Sequence, residues 1–431
     1  MANTRLVYLP TWRWKGFDMS KRFEDARARL AEAKNDTSSL LSLLPEFDFE
    51  VEWDFYDSGD GATLFMFNDI DYSRYDNYCR RIADVGFDQN FSNEINKNYF
   101  RTYTKDNVTI DIWYINYARE MRLTIQKDIP VIPAQMPCES YTKVEPALVT
   151  LGGYGFHPGM AFVIRLENSN FIIIDGGHGD NMWKYVYDTM KALSHGEAIV
   201  IESWIFTHSH SDHIAAFTQF ANVADLLADK VILKSVIANF AGKEQASAPT
   251  QQLHPTDEII RNIVKENFPT IPFYKAHPGN EFNFAGLKAE ILGTHESFTT
   301  TREDWPFLYN ACNLLIKITV AGQIIMIEGD NDTCNNVILG KTYGNYLKCD
   351  ILQADHHGNF GGVCEVNKLF APEVVIFFHC DRHTEEFHAK EYNQTLFNNP
   401  NYKEHIIADT KRFIMMLPYK VNSAIEEQLE K

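Results

Sequence analysis

Six consecutive residues, His208–His213, carry the densest set of metal-binding side chains in this sequence and read HSHSDH directly after a short apolar run. Imidazole nitrogen suits zinc, iron or manganese, and a carboxylate suits the harder of these ions. Because successive residues at a strand end point in different directions, His208 and His210 can chelate one ion while Asp212 and His213 face a second. A solvated polar turn has no need of three histidines, so we interpret the segment as a two-metal site.

Three further segments place a potential ligand directly after an apolar run of strand length. Asp175, Asp330 and the pair His356-His357 each follow such a run, in that order along the chain. An aspartate beside a glycine at a strand end is by itself most often a turn. Here the aspartate is informative because of the order in which these segments occur around the histidine-rich motif.

In this order the segments resemble the metallo-β-lactamase superfamily, whose signature is H-x-H-x-D-H. The resemblance implies that Asp175 braces the metal loop without binding an ion and that Asp330 bridges both ions. It also implies that a histidine directly before a glycine is the final metal ligand. His357 directly precedes Gly358 and is the favoured ligand, with His356 in support, although the roles of the two histidines can be exchanged.

The family usually supplies one more histidine to the first ion, between the signature and the bridging aspartate. The candidates are His254, His277 and His295. His295 follows the strand-like run 289–292, and strand ends are where the family places its ligands, so we predict that His295 binds the first ion. His254 and His277 stand in loops beside prolines, and we expect both at the surface.

The resemblance covers about residues 145–418 and favours the branch that contains the hydrolase domains of competence (DNA-uptake) proteins and the phosphorylcholine esterases. The final His-His-Gly motif and the segment Asn310–Ile316 carry this preference. The chain departs from the branch near its end, where His379, Arg382, His383 and His388 stand in place of the usual serine and glycine-histidine-proline elements. That departure leaves the substrate open more than the metal site.

The elements that must position these residues alternate strands, glycine turns and helices from about residue 141 onward. The resemblance implies an α/β fold, the four-layer αββα sandwich of the superfamily. Upstream, a charged helix over 18–45, a strand over 62–67, a helix over 72–85 and strands near 99–104, 108–117 and 121–126 predict a small α+β module. Prolines 130, 133 and 137 mark a linker. We therefore divide the chain into a module of unknown role with its linker, 1–140, and a hydrolase domain, 141–431.

The composition is that of a globular protein with 431 residues, 45% hydrophobic and 23% charged, and a net charge of −18. An acidic surface disfavours broad nucleic-acid binding, although bound cations reverse the sign locally and leave a nucleic-acid or other phosphoester substrate open. There is no apolar run of membrane-spanning length and no signal-like N-terminus, so we expect no membrane association and a cytoplasmic protein. The seven cysteines show no CxxC spacing, which favours reduced thiols.

The chemistry that follows from two adjacent divalent ions is hydrolysis, because the ions lower the pKa of a bridging water and neutralise charge on the substrate. We predict catalytic roles for Asp212, His213 and Asp330, and two ions that are zinc, with manganese or iron also compatible. A phosphodiester or related phosphoester is the first substrate hypothesis. A lactone, thioester or amide is the second, and a non-catalytic metal-binding scaffold is the third. The sequence leaves the oligomeric state open.

Overall fold

The computed structural model describes residues 40–47, 51, 53–152, 159–194, 198–223, 230–241, 256–298 and 309–428. The helix predicted over residues 18–45 lies almost entirely outside these ranges. No helix of the described part is long and apolar enough to cross a membrane.

The N-terminal module is a six-stranded antiparallel sheet in the order β1-β2-β6-β5-β4-β3. Its strands are β1 (Trp53–Gly59), β2 (Ala62–Phe67), β3 (Asp88–Ile95), β4 (Asn98–Lys105), β5 (Val108–Ile115) and β6 (Glu120–Lys127). Helix α1 (Tyr72–Asp84) covers one face and begins at Asp71, whose carboxylate accepts a hydrogen bond from the Arg74 amide. The sequence did not predict β1 and β3, and the described aromatic side chains between this face and the helix form a buried core.

Two larger sheets follow. The first has nine strands in the order β13-β12-β10-β9-β8-β7-β21-β22, with β11 beside β10. Its strands are β7 (Ala147–Leu151), β8 (Ala161–Arg165), β9 (Phe171–Asp175), β10 (Ile199–Ile205), β11 (Val231–Leu233), β12 (Val236–Ala238), β13 (Phe273–Lys275), β21 (Lys411–Met416) and β22 (Ile425–Gln428). The second has seven strands, in the order β14 to β20. They are β14 (Glu281–Phe284), β15 (Leu287–Gly293), β16 (Leu315–Val320), β17 (Gln323–Ile327), β18 (Ile351–Gln353), β19 (Val374–Phe377) and β20 (Glu404–Ile407).

The two large sheets face each other across one apolar core, to which β9 contributes Ile172 and Ile174 and β16 contributes Ile316 and Ile318. Helices cover the two outer faces. On the nine-stranded sheet they are α2 (Met182–Leu193), α3 (Ser211–Ala221) and α4 (Thr256–Asn267). The later helices are α5 (His295–Phe298), α6 (Thr333–Tyr343), α7 (Cys364–Phe370), α8 (Thr384–His388) and α9 (Glu391–Phe397). The predicted four-layer αββα sandwich is therefore confirmed.

The strand directions explain where a site forms. β9 and β10 run parallel in one sheet, and β17, β18 and β19 run parallel in the other. The carboxyl ends of parallel neighbours meet at one edge, so residues that follow these strands converge there. All of the predicted strand-end ligands except His295 follow strands of these two groups.

The module packs against the sandwich through apolar and ionic contacts. Phe100 and Trp113 share a buried cluster with Leu292 and Phe298. Beside this cluster, the Ser58 hydroxyl donates to a Glu296 carboxylate oxygen at 2.5 Å, and the Arg122 guanidinium donates to the Glu296 carbonyl. The contact between the two predicted domains is thus a continuous interior with buried charges in it.

His277 belongs to this interior, and the expectation of a surface histidine is wrong. Its ring is only 1% exposed, with Nδ1 2.7 Å from a Glu296 oxygen and Nε2 3.5 Å from an Asp111 oxygen. Burial alone would lower the pKa of His277, but the carboxylates of Glu296 and Asp111 raise it. The turn that carries His277 is covered by the module, which the sequence around it did not indicate.

Candidate metal centre

The histidine-rich motif occupies the loop between β10 and α3. Asp175, at the end of the neighbouring β9, accepts hydrogen bonds from the Thr207 amide at 2.7 Å and the Thr207 hydroxyl at 2.6 Å. The same carboxylate accepts one from His213 Nδ1 at 2.7 Å. Because this bond keeps a proton on Nδ1, Nε2 is the ring nitrogen that faces Asp330 and that a cation could bind. The Asp175 carboxylate thus connects the end of β9 to the loop at Thr207 and His213.

Three ligand atoms form a first group, from His208, His210 and Asp330, and all lie within 4.8 Å of one another. His208 Nε2 is 3.0 Å from His210 Nδ1 and 3.8 Å from Asp330 Oδ2. His208 and Asp330 are buried, whereas His210 is partly exposed at the N-terminus of α3. This arrangement offers a cation two imidazoles and a carboxylate from one side.

Four residues form a second group, namely Asp212, His213, Asp330 and His357. Asp330 Oδ1 lies 3.2 Å from His213 Nε2 and 3.3 Å from His357 Nε2, and His357 Nε2 lies 3.4 Å from Asp212 Oδ2. Asp330 therefore belongs to both groups, with Oδ2 toward the first and Oδ1 toward the second. That is the geometry expected of a carboxylate that bridges two ions.

The second group also passes a test of fit for a cation. His213 Nε2, Asp330 Oδ1 and His357 Nε2 are buried atoms without a hydrogen-bond partner in the described part of the chain. Leaving such atoms unsatisfied is costly, and several of them meeting at one point calls for an explanation. A divalent cation bound by the nitrogen and oxygen lone pairs would satisfy all three at once.

Electrostatics agree with this assignment. Burial opposes ionisation of Asp330 and Asp212, but the neighbouring histidines lower the pKa of both carboxyls well below the ordinary value. Burial likewise opposes protonation of His357, yet Asp330 and Asp212 raise its pKa to about 9. A cation at the second group must therefore displace a proton from His357, and its affinity there decreases as the pH falls.

The final ligand turn is strained. His356 and His357 both adopt left-handed backbone conformations, with φ of 46° and 60°. For residues other than glycine this costs roughly 1 kcal/mol or more each. The turn is anchored by the His356 amide, which donates to the Gly329 carbonyl at 3.0 Å, and by Asn393, whose amide donates to the Gly358 carbonyl at 2.7 Å. In this backbone conformation both imidazoles lie near Asp330, with His356 Nε2 3.5 Å from Oδ2 and His357 Nε2 3.3 Å from Oδ1.

His356 is closer to the site than a purely supporting role requires. Its Nε2 lies 3.5 Å from Asp330 Oδ2, the same oxygen that faces His208. The Asn310 side-chain amide lies 3.4 Å from the other ring nitrogen. His357 belongs to the second group, and His356 stands on the side of the first.

His295 is the predicted ligand that the structure does not bring to the site. β15 ends at Gly293 and α5 begins at His295, so the ring turns into the interior, where Nε2 lies 2.8 Å from Asn239 Oδ1. The histidine is fully buried, and burial lowers its pKa to about 3. It is a neutral core histidine in neither ligand group, which corrects the sequence-based expectation. His254, the other candidate, lies outside the described residues.

Two supporting residues were missed by the sequence reasoning. Gln353 Oε1 accepts hydrogen bonds from the Glu328 amide at 2.8 Å and the Gly329 amide at 2.7 Å, and Asn313 Oδ1 accepts one from the Asp330 amide at 3.1 Å. These bonds hold the turn that presents the shared carboxylate. A lone glutamine within an apolar strand was the available signal for Gln353.

Among the residues near the altered C-terminal segment, His379 is the one that is buried at the edge where the ligands meet. It follows β19, and its Nδ1 lies 3.1 Å from the Cys380 carbonyl, to which it donates. Burial lowers the pKa of His379 to about 4, so Nε2 is a neutral acceptor. His383 is partly exposed and Arg382 is exposed. Its burial distinguishes His379 from Arg382 and His383, among which the sequence alone gave no preference.

The brace can be tested separately from the ligands. Asp175→Asn should keep the shape of the side chain but lose the charge that orients His213, and we expect the affinity for the second cation to fall by about 10- to 100-fold. Zinc titration against a fluorescent competitor measures this change. Unaltered affinity would contradict the bracing role. Asp188→Asn, at an exposed site on α2, serves as the control.

The comparisons with known proteins give limited matches. The sequence matches no protein-family model and no curated protein. Among solved structures, the chain is similar to the metallo-β-lactamase fold protein YhfI from Bacillus subtilis, with 12% identity, a TM-score of 0.37, and 61% of this chain and 97% of that chain covered. It is also similar to a diphosphatase from the PhnP family, with 11% identity, a TM-score of 0.37, and coverage of 66% and 98%.

A third similar structure is CmlA, a diiron β-hydroxylase from Streptomyces venezuelae. The identity is 10% and the TM-score 0.39, with 65% of this chain and 55% of that chain covered. Likeness at this level does not identify a reaction.

Proposed function

We propose that this protein is a two-metal hydrolase of the metallo-β-lactamase superfamily, acting on a phosphodiester or a related phosphoester. The observation that carries the proposal is Asp330, one buried carboxylate shared by two groups of ligand atoms. The order of the motifs along the chain supports the superfamily. The preference for a phosphoester rests on the sequence resemblance to the competence-protein and esterase branch.

The residues of the chain divide the work among them. His208, His210 and Asp330 would hold the first cation, and Asp212, His213 and His357, with Asp330 again, would hold the second. Two divalent cations bound there supply a water of lowered pKa and neutralise charge that develops on a phosphoryl oxygen. Asp175 keeps His213 in the tautomer that can bind, and His379 Nε2 stands as a buried acceptor at the same edge.

Zinc is the cation that this set of ligands fits best, because four of the six donor residues are histidines. Manganese and iron accept the same nitrogen and oxygen donors. Hydrolysis of a lactone, thioester or amide would use the same machinery and is the second candidate. A non-catalytic scaffold is the third, and the retention of both ligand groups argues against it.

A substrate screen on metal-analysed protein tests the proposal. We expect about two divalent ions per chain and turnover of bis(p-nitrophenyl) phosphate that stops with a chelator and returns with zinc or manganese. Nitrocefin and a simple lactone should be hydrolysed far more slowly. Lactone turnover without phosphodiester turnover would move the assignment to the second candidate. Two bound ions without turnover of any of the three substrates would favour the scaffold.

A further inference from the structure

A second polar cavity lies between the N-terminal module and the sandwich, away from the residues of the metal centre. It has a volume of about 250 Å³. Strands β4, β5 and β6 form one wall and the segment from β13 to β14 forms the other, while the linker after β6 closes one side. The lining is Asn90, Phe91, Thr102, Thr109, Asp111, Gln126, Val131, Ile132, Pro133, Ala134, Lys275, His277, Asn280 and Glu281.

The module wall is polar where an interior sheet face is ordinarily apolar. Thr102, Thr109, Asp111 and Gln126 lie on the same face of adjacent strands, since Asp111 pairs with Thr102 and Thr109 pairs with Gln126. All four are at most 4% exposed. The opposite face of the same strands carries apolar residues that pack under α1. Burying polar side chains costs free energy unless they find partners, so this face needs an explanation.

Two of these side chains, Thr109 and Gln126, line the cavity with groups that can donate a hydrogen bond. Thr109 contributes a hydroxyl, and Gln126 contributes an amide group whose Oε1 lies 3.3 Å from His277 Nε2. Asp111 is better satisfied, because Oδ1 accepts from the Thr102 hydroxyl at 2.7 Å. The cavity therefore presents a hydroxyl, an amide donor and a carboxylate from one wall.

The charges around the cavity favour a neutral occupant. The His277 ring stands between the carboxylates of Glu296 and Asp111, and Lys275 donates to the Ser58 carbonyl at 2.7 Å and lies 3.7 Å from Asp60. The cations are thus already matched by anions, so an anionic ligand would find no free positive charge. A ligand rich in hydroxyl groups can both donate to Asp111 and accept from the Gln126 amide.

The volume of the cavity further limits the class of ligand. Sites for drug-sized ligands have volumes of about 300–1000 Å³, and this cavity is smaller. Phe91 is partly exposed and supplies an apolar surface beside the polar wall. Sugars present both hydroxyl edges and apolar C–H faces, which this combination of side chains can contact.

We propose that this cavity is a binding site for a small neutral polyhydroxylated molecule of monosaccharide size, held by Asp111, Thr109 and Gln126. The site is independent of the metal ligands and of the hydrolase assignment. A ligand there would contact both the module and the sandwich, because the opposite wall carries His277 and Asn280.

Isothermal titration calorimetry of the full-length protein with D-glucose and with myo-inositol tests the site. Sugars also stabilise proteins by exclusion from the surface, so heats of binding are more telling than melting temperatures. We expect saturable binding of at least one of the two probes and none of inorganic phosphate. Absence of saturable heat with both glucose and inositol would overturn the proposal.

A single substitution distinguishes the cavity from other surfaces. Thr109→Val removes one hydroxyl at nearly constant side-chain volume, so we expect the fold to be retained and binding to weaken about tenfold from the loss of one hydrogen bond. Thr63→Val, a similarly buried threonine on β2 outside the cavity, is the matched control. Equal affinity in wild type and Thr109→Val, or equal weakening in both variants, would contradict the assignment. Metal content should not change in either variant.

Discussion

Replacing Asp330 by asparagine is expected to remove most of the bound metal and to lower phosphodiester turnover by at least about a thousandfold, equivalent to about 4 kcal/mol of transition-state stabilisation. The reason is that one carboxylate serves both ligand groups, with Oδ1 3.2 Å from His213 Nε2 and Oδ2 3.8 Å from His208 Nε2. An amide of the same shape lacks the charge that two cations need. Elemental analysis and single-substrate kinetics measure the two effects.

A neighbouring acid provides the matched control. Glu328 lies two residues earlier on the same turn and is fully buried, and burial raises its pKa to about 8. It is therefore mainly neutral at pH 7, and Glu328→Gln should leave metal content and turnover close to those of the wild type. Retention of two ions in Asp330→Asn would contradict the shared-carboxylate assignment. Equal losses in both variants would show a general effect on the turn.

Replacing His357 by alanine is expected to remove the second cation selectively, so that metal content falls from about two ions per chain to about one. Turnover should fall by about 100-fold or more, because the remaining ion cannot clamp both sides of the reacting group. His357 Nε2 is buried without a hydrogen-bond partner in the described residues and faces the carboxylates of Asp330 and Asp212 at 3.3 and 3.4 Å. Metal analysis after gel filtration provides the measurement.

His295→Ala is the variant to compare with His357→Ala. Its ring nitrogen lies 2.8 Å from Asn239 Oδ1 in the interior, so this variant should lose about 1–3 kcal/mol of unfolding free energy but keep both ions. Chemical denaturation and metal analysis separate the two results. Loss of one ion from His295→Ala, with stability unaltered, would restore this histidine as a ligand. Loss of no ion from His357→Ala would remove His357 from the second group.

Much of the site could be predicted because its residues follow strands. The motif 208–213, Asp175 and Asp330 each stand at or just after the end of an apolar run. Parallel strands bring such ends to one edge of a sheet. His295 also follows a strand, but β15 is antiparallel to β16 and α5 begins at once. The side chain therefore turns inward. Strand-end position alone does not reveal this difference in direction.

The interface between the N-terminal module and the sandwich was harder to predict from the sequence. His277 stands beside a proline in a short turn, a context typical of surface residues, and only the covering module buries it. The polar wall of Thr109, Asp111 and Gln126 has the alternation of an ordinary half-exposed strand. Whether such a face meets solvent or another layer depends on contacts between residues that are more than a hundred positions apart, as between Asp111 and His277.

The contact around Glu296 has a consequence for how the chain can be divided. The predicted boundary near residue 140 would be the natural place to cut the chain in order to express residues 141–431 alone. Such a fragment would lose the Ser58 hydroxyl and the Arg122 guanidinium from Glu296, and would expose to water the apolar surface that Phe100 and Trp113 cover. The two large sheets and their helices therefore rely on the preceding module to cover this surface, and we expect the fragment to be less stable than the full chain.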